Sequence, residues 1–218
     1  MNKIADFELN KIYCMDCLDM LKKLPDNSID LVVTDPPYGI GADVNQQKAG
    51  GKNGWRKYDL KTNWDESIPS KEVFDEIRRV SKNQIIWGGN YFTEFLPPKM
   101  CWLVWDKGQR EFSLADGELA WTSFEKRLMS VKKNSKAETR GGKDRIHPTQ
   151  KPVYLYRFCL LNYAEKGMKI LDTHGGSFSI AIACEKEGFD LDICEIDTEY
   201  FNNGIKRFKL ETAQTKLF

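Results

Sequence analysis

The sequence predicts an α/β fold built on a mostly parallel sheet, and three observations predict it. Ile29-Asp30-Leu31-Val32-Val33-Thr34 is a β-branched run too apolar for a half-exposed strand, as expected of a parallel strand covered on both faces. The last third alternates strand, glycine turn, helix and strand, with an acidic residue closing the second strand, which is a nucleotide-type βαβ unit. The 218 residues, 41% hydrophobic and 30% charged, suit one domain with a real core. No apolar run approaches the length needed to cross a bilayer, and Met1 to Asp6 lack a signal peptide's apolar stretch. A cytoplasmic chain without a membrane partner is expected.

Taken in order, Lys11 to Cys14 reads as a short strand and Cys17 to Leu24 as a helix with Leu18, Leu21 and Leu24 on one face. Pro25 to Ser28 breaks it. The strand Ile29–Thr34 ends at Asp35-Pro36-Pro37, where two prolines stop any ladder. Gly39 to Lys61 is polar, rich in Gly and Lys, and has no period, which marks a loop that is either functional or disordered. Glu72 to Val80 reads as a helix, and Gln84–Trp87 and Cys101–Trp105 as strands. Lys107 to Ile146 mixes aromatic and basic residues and is the best place for an inserted recognition region. Pro152 to Asn162 reads as a helix, Lys169 to Asp172 as a strand, Ser179 to Glu187 as a helix and Asp190 to Ile196 as a strand. Thr198 is the expected N-cap of a last helix reaching about Lys209.

The net charge of +1 conceals an uneven distribution. Between Lys126 and Arg145 there are eight Lys or Arg against Glu138 and Asp144, and between Gly41 and Lys61 five against Asp43 and Asp59. From Glu165 to Glu199 nine acidic residues face three lysines. Two basic segments on an otherwise neutral chain suit a polyanion such as nucleic acid. Cys14 and Cys17 form a C-x-x-C without a second pair or nearby histidines, so they read as small apolar residues at a strand end and no metal is expected.

At the carboxyl end of a buried strand, where open α/β sheets place ligands, Asp35-Pro36-Pro37-Tyr38 has a specific chemical capacity. The Asp35 carboxylate accepts hydrogen bonds only, and Pro36 keeps a carbonyl acceptor but has no N–H. Two acceptors on a rigid turn match the two donors of an NH₂ group, and Tyr38 supplies a face on which a base can stack. The lone pair of an exocyclic base amine is delocalised into the ring. Acceptors held out of the ring plane favour a pyramidal nitrogen with that pair free. A donor that is already activated then needs only alignment and preorganised electrostatics, with neither metal nor covalent nucleophile. Farther on, Gly175-Gly176 allows close backbone approach to a ligand at a strand-to-helix turn. Glu195 stands where an acidic residue accepts ribose hydroxyls, and Asp197 reads as a solvated carboxylate near a helix start.

Asp35-Pro36-Pro37-Tyr38 resembles the catalytic motif of amino-group DNA methyltransferases. His147-Pro148-Thr149-Gln150-Lys151-Pro152 resembles the motif before the cofactor helix, and Leu171-Asp172-Thr173-His174-Gly175-Gly176-Ser177 the cofactor glycine loop. Met15-Asp16-Cys17 is similar to the family's Gly-Asp-Ser cofactor segment. The catalytic motif preceding the cofactor loop resembles the permuted order of the β group. The resemblance implies a Rossmann-like S-adenosylmethionine-dependent methyltransferase fold, with a mostly parallel seven-stranded sheet flanked by helices. It implies a single catalytic domain over 1–218 with a small recognition region at about 107–146. It also implies a bacterial or phage-encoded enzyme of the restriction-modification kind, often a homodimer.

By the same resemblance Asp35, Pro36, Pro37 and Tyr38 are catalytic and S-adenosylmethionine is the cofactor. Asp172 and Gly176 line its methionine part, Glu195 its ribose, and Asp16 and Cys17 lie near its adenine. Asp35, Lys151, His174, Gly175 and Ser177 complete that site. The family usually has Phe at the place of His174 and a second glycine at that of Phe178, whose bulk is expected to reshape the loop. His147 is expected to be structural or on the cofactor side rather than catalytic. An Asp in first place of the catalytic motif implies N6 of adenine, although the physical argument leaves N4 of cytosine equally open. RNA as substrate, or a binding module without turnover, remain alternatives.

A base inside a duplex cannot reach such a centre, so double-stranded DNA implies base flipping. Lys48, Lys52, Trp55, Arg56 and Lys57 are expected to close over the extruded base. Arg110, Arg127, Lys132, Lys133, Arg140 and Arg145 are expected to contact the DNA groove.

Overall fold

The run Ile29–Thr34 forms strand β4, and every residue in it except Asp30 is buried. Around it the computed structural model describes residues 3–4, 7–8, 10–41, 64–108, 115–132 and 146–213. The strands are β1 (Lys3–Ile4), β2 (Phe7–Glu8), β3 (Ile12–Cys14), β4, β5 (Ser81–Trp87), β6 (Trp102–Asp106), β7 (Gly117–Thr122), β8 (Met129–Lys132), β9 (Lys169–Asp172) and β10 (Asp190–Glu195). The helices are α1 (Cys17–Leu21), α2 (Lys71–Val80), α3 (Val153–Tyr163), α4 (Ser179–Glu187) and α5 (Thr198–Ala213).

Strands β3 to β10 form one sheet in the order β3-β10-β9-β4-β5-β7-β6-β8, while β1 and β2 pair antiparallel by themselves. Only β7 opposes its neighbours in the large sheet. Alternate side chains of each central strand point to opposite faces. Leu31, Val33, Ile85, Trp87, Ile170 and Ile193 join one apolar cluster with Leu155, Leu160 and Ile180 of α3 and α4. Val32, Ile86, Leu171 and Cys194 join another with Met20, Leu21, Phe74 and Ile77 of α1 and α2. Helices thus cover both faces, which explains why these strands are continuously apolar. No helix among the described residues is long and apolar enough to cross a membrane.

The observed sheet has eight strands rather than seven, and the expected recognition region is divided. Within 107–146, β7 pairs with both β5 and β6, and β8 pairs with β6. Residues 117–132 are therefore part of the scaffold, and their apolar positions Ala120, Trp121 and Val131 are core. Residues 109–114 and the basic stretch 133–145 lie outside the described residues. Helix α1 stops earlier than its leucine spacing suggests, although Leu24 is still buried. The cap of α5 is Asp197 rather than Thr198: its Oδ1 accepts from the amides of Glu199 at 2.8 Å and Tyr200 at 2.9 Å.

Candidate active site

The carboxyl ends of β3, β4, β9 and β10 meet at one edge of the sheet, where a cleft of about 650 Å³ opens. Asp35 to Tyr38 form one part of its wall, and Met15 to Leu18, Thr173 to Ser177 and Glu195 to Asp197 form another. Asp65 shapes the turn after β4, because its Oδ1 accepts from the amides of Tyr38 (2.7 Å) and Gly39 (2.9 Å). Behind the turn, the Tyr38 ring stacks on Tyr91, with centroids 4.8 Å apart and planes 15° from parallel. Gly88 makes room for that ring: a Cβ there would lie 2.1 Å from Tyr38 Cε1.

Lys151, whose side chain is 3% exposed, directs its ammonium at three oxygens. They are Asp35 Oδ1 at 2.5 Å, the Tyr38 hydroxyl at 2.8 Å and Glu118 Oε2 at 3.0 Å. An ammonium has three N–H donors, so its capacity is filled. The Tyr38 hydroxyl donates to Asp35 Oδ1 at 2.7 Å. Glu118 Oε1 is paired with Lys107 at 2.5 Å. Burial raises the Asp35 carboxyl above its ordinary value, and Lys151 only partly offsets it. Burial also pushes Glu118 upward, but Lys151 and Lys107 outweigh it and hold that carboxyl at about 2. Burial alone would lower Lys151, yet the two carboxylates outweigh it and keep the ammonium charged.

At the other end, Glu195 clasps the glycine loop. Its Oε2 accepts from the Gly176 amide at 2.7 Å and its Oε1 from the Asp197 amide at 2.8 Å. His174 Nδ1 meets the Thr173 hydroxyl at 2.8 Å, and Nε2 lies 3.8 Å from Cys17 Sγ. Desolvation brings His174 down to about 4, so its ring is neutral at physiological pH. Burial raises the Cys17 thiol to about 12, and Cys14 and Cys17 are both free. Asp16 serves as the N-cap of α1, with Oδ1 accepting from Leu18 N at 2.8 Å, and also borders the cleft.

With this geometry, the family model for DNA methylases of the N6/N4 kind matches residues 86–206, more than half of the chain. The chain belongs to this DNA methylase family. Among its relatives, the DNA adenine methyltransferase YhdJ of Escherichia coli is 25% identical over 88% of this chain and 80% of its own length. Type II methyltransferase M.HpaI of Haemophilus parainfluenzae is 25% identical over 92% of this chain and 74% of its own. The match to type II methyltransferase M.BglII of Bacillus subtilis is 55% identical but spans 18% of this chain and 11% of that protein. Two solved structures share the fold at 16% identity. TTHA0409 of Thermus thermophilus, complexed with S-adenosyl-L-methionine, has a TM-score of 0.57 over 92% of this chain and 95% of its own. The cytosine-N4-specific PvuII DNA methyltransferase has 0.59 over 93% and 90%.

In this methylase the structure brings Asp35, Pro36, Pro37 and Tyr38 to the cleft together with Asp16, Cys17, Lys151, His174, Gly175, Gly176, Ser177 and Glu195. Two placements differ from the expectation. Asp172 does not border the cleft: it is 1% exposed beneath the loop, with Oδ1 accepting from the His174 amide at 3.0 Å. Lys151 points to Asp35 and Tyr38 rather than to the glycine loop. Phe178 does not border the cleft: its ring turns into the core, at 0% exposure, against Gly175 and Gly204. His147 is wedged between Trp64 and Tyr200, with centroids at 5.0 and 4.3 Å, as befits a structural residue on the cleft wall.

Of the expected DNA contacts, Arg127 and Lys132 are exposed, and neither borders the cleft. Lys48, Lys52, Trp55, Arg56, Lys57, Arg110, Lys133, Arg140 and Arg145 lie outside the described residues. Sequence reasoning missed Glu118, Asp65 and Tyr91. No local pattern marks them, since each acts through a residue distant in the chain.

Proposed function

We propose that this methylase transfers the methyl group of S-adenosylmethionine to the N6 amino group of adenine in DNA. The observation that carries the reading is Asp35. Its Oδ1 is tied by Lys151 and Tyr38, while among the described residues no hydrogen bond reaches Oδ2. A cleft-lining carboxylate with one oxygen free beside buried Pro36 suits an incoming NH₂ donor. Its position in a recess favours an extruded base over one stacked in a duplex. Adenine is preferred because Asp opens the catalytic motif and because YhdJ, a DNA adenine methyltransferase, matches along most of the chain.

The residues present fit the cofactor. A cleft of about 650 Å³ lies within the range of small-molecule sites, roughly 300–1,000 Å³. Gly176, with φ of 51°, turns the loop where a side chain would be strained, and Glu195 adds acceptor oxygens for hydroxyl groups. Gly175, Gly176, Glu195, His174, Asp16 and Cys17 would hold it. When bound, S-adenosylmethionine supplies an activated sulfonium methyl group. Asp35 then orients the amine, Lys151 and Tyr38 orient Asp35, and Tyr38 offers its ring to the base. Close alignment of reacting atoms is the main contribution required of the protein.

The test is transfer of label from S-adenosylmethionine to unmethylated DNA, RNA and nucleosides, followed by identification of the modified base. N6-methyladenine in DNA is the expected product, whereas N4-methylcytosine or labelled RNA would replace the reading. Asp35→Ala should abolish transfer in a protein that stays folded by circular dichroism. Retained turnover would show that the amine is held elsewhere.

A further inference from the structure

Four charged side chains from distant parts of the chain meet at the catalytic turn. Lys151 comes from the segment before α3, Glu118 from the start of β7, Lys107 from the end of β6 and Asp35 from the end of β4. The reversed direction of β7 is what brings Glu118 there. It pairs with Trp105 near the end of β6, at the same edge of the sheet as the cleft. Each Glu118 oxygen holds one lysine, Lys107 at 2.5 Å and Lys151 at 3.0 Å. Both contacts to Asp35 fall on Oδ1.

We propose that Glu118 is a positioning residue for amine methylation: gripping Lys107 and Lys151, it fixes the Lys151 ammonium on Asp35 Oδ1 and leaves Oδ2 for the amine. The inference rests on the amino-methyltransferase reading above. Without Glu118, Lys151 would keep a single carboxylate partner, and a buried pair of that kind can exchange its proton and become neutral. Having taken the proton of Lys151, Asp35 would present an O–H to the amine in place of an acceptor, at whatever pH the pair holds that single proton. With Glu118 the four charges sum to zero and the ammonium is retained. The other titratable groups acting on Asp35 are Tyr38, Tyr156 of α3 and Asp172 at the end of β9.

The experiment follows kcat against pH for the wild type, Glu118→Gln, Glu118→Asp and Lys107→Gln. Circular dichroism checks folding, and calorimetry checks S-adenosylmethionine binding. Glu118→Gln should lower kcat by about ten- to a hundredfold, the scale of a small misplacement of reacting groups. Removing an anion favours the deprotonated forms of its neighbours, so both pH limits of kcat should move down. Removing a cation does the reverse, so Lys107→Gln should move them up. Glu118→Asp should keep the wild-type limits and recover part of the rate. A folded Glu118→Gln with wild-type limits overturns the proposal. Should that variant not fold, Lys107→Gln decides, and limits that fail to rise overturn it too. If the wild type itself labels no amine, the parent reading fails instead.

Discussion

Asp172 lies beneath the glycine loop and holds the His174 amide, with no charged partner among the described residues to offset its burial. Desolvation lifts its carboxyl from 3.8 to about 7. A folded value above the unfolded one means that ionisation opposes folding. The contribution is intact below about pH 4 and is lost as pH rises through 7. Asp172→Asn keeps an acceptor for His174 without the charge. Its stability relative to the wild type should therefore rise between pH 5 and 8, by at most about 3 kcal/mol. Urea denaturation at the two pH values measures this, and a difference that does not change with pH would refute it. At this scale Asp35 to Tyr38 was legible, because its acceptors, rigid prolines and ring are consecutive. Whether Asp172 faces the ligand or supports the loop depends on which side of a strand end faces the cleft. Sequence does not show that.

The turn from β9 into α4 departs from the family pattern at Phe178, and its compensation lies on α5. Phe178 has φ of 58°, a left-handed conformation natural to the glycine that usually stands there. Its ring fits because position 204 is glycine: a Cβ there would come within 2.7 Å of Phe178 Cγ. Phe178→Gly should relieve roughly 1–2 kcal/mol of backbone strain but lose about 3–5 kcal/mol of packing, a net destabilisation. Gly204→Ala should destabilise the wild type, since a buried ring must move. In the Phe178→Gly background the same change should be neutral or stabilising by up to about 1 kcal/mol, as alanine favours helix. A double-mutant cycle by urea denaturation measures the coupling, and additive effects would sink the idea. Elements set by local pattern, such as β4, α4 and the βαβ unit, were readable in order and nearly in extent. Strands β7 and β8 were not, because their partners are remote and their neighbouring basic stretches resemble an insertion. For the same reason Glu118 was hidden: its place in the site requires knowing that β7 runs antiparallel.

Across the whole molecule, described residues next to the basic segments 42–63 and 133–145 reach the cleft. Ile40 and Trp64, on either side of 42–63, both border it. His147, just after 133–145, does so as well. The acidic run 165–199 instead supplies β9, the glycine loop, α4 and β10. The sequence joins the basic segments 42–63 and 133–145 to residues of the cleft wall, and from this follows the expectation that they contact DNA. Neutralising Lys48, Lys52, Arg56 and Lys57 together, or Lys133, Arg140 and Arg145 together, should flatten the dependence of log K on log salt. The slope should fall by about 0.9 for each phosphate that is no longer neutralised. Binding of S-adenosylmethionine should be unchanged in both variants, because the residues that would hold it, among them His174, Gly176 and Glu195, are left intact. The measurement is a salt titration of duplex binding by fluorescence anisotropy. Wild-type slopes in both variants would remove these segments from the DNA interface. A flattened slope in only one would assign the phosphate contacts to that segment alone.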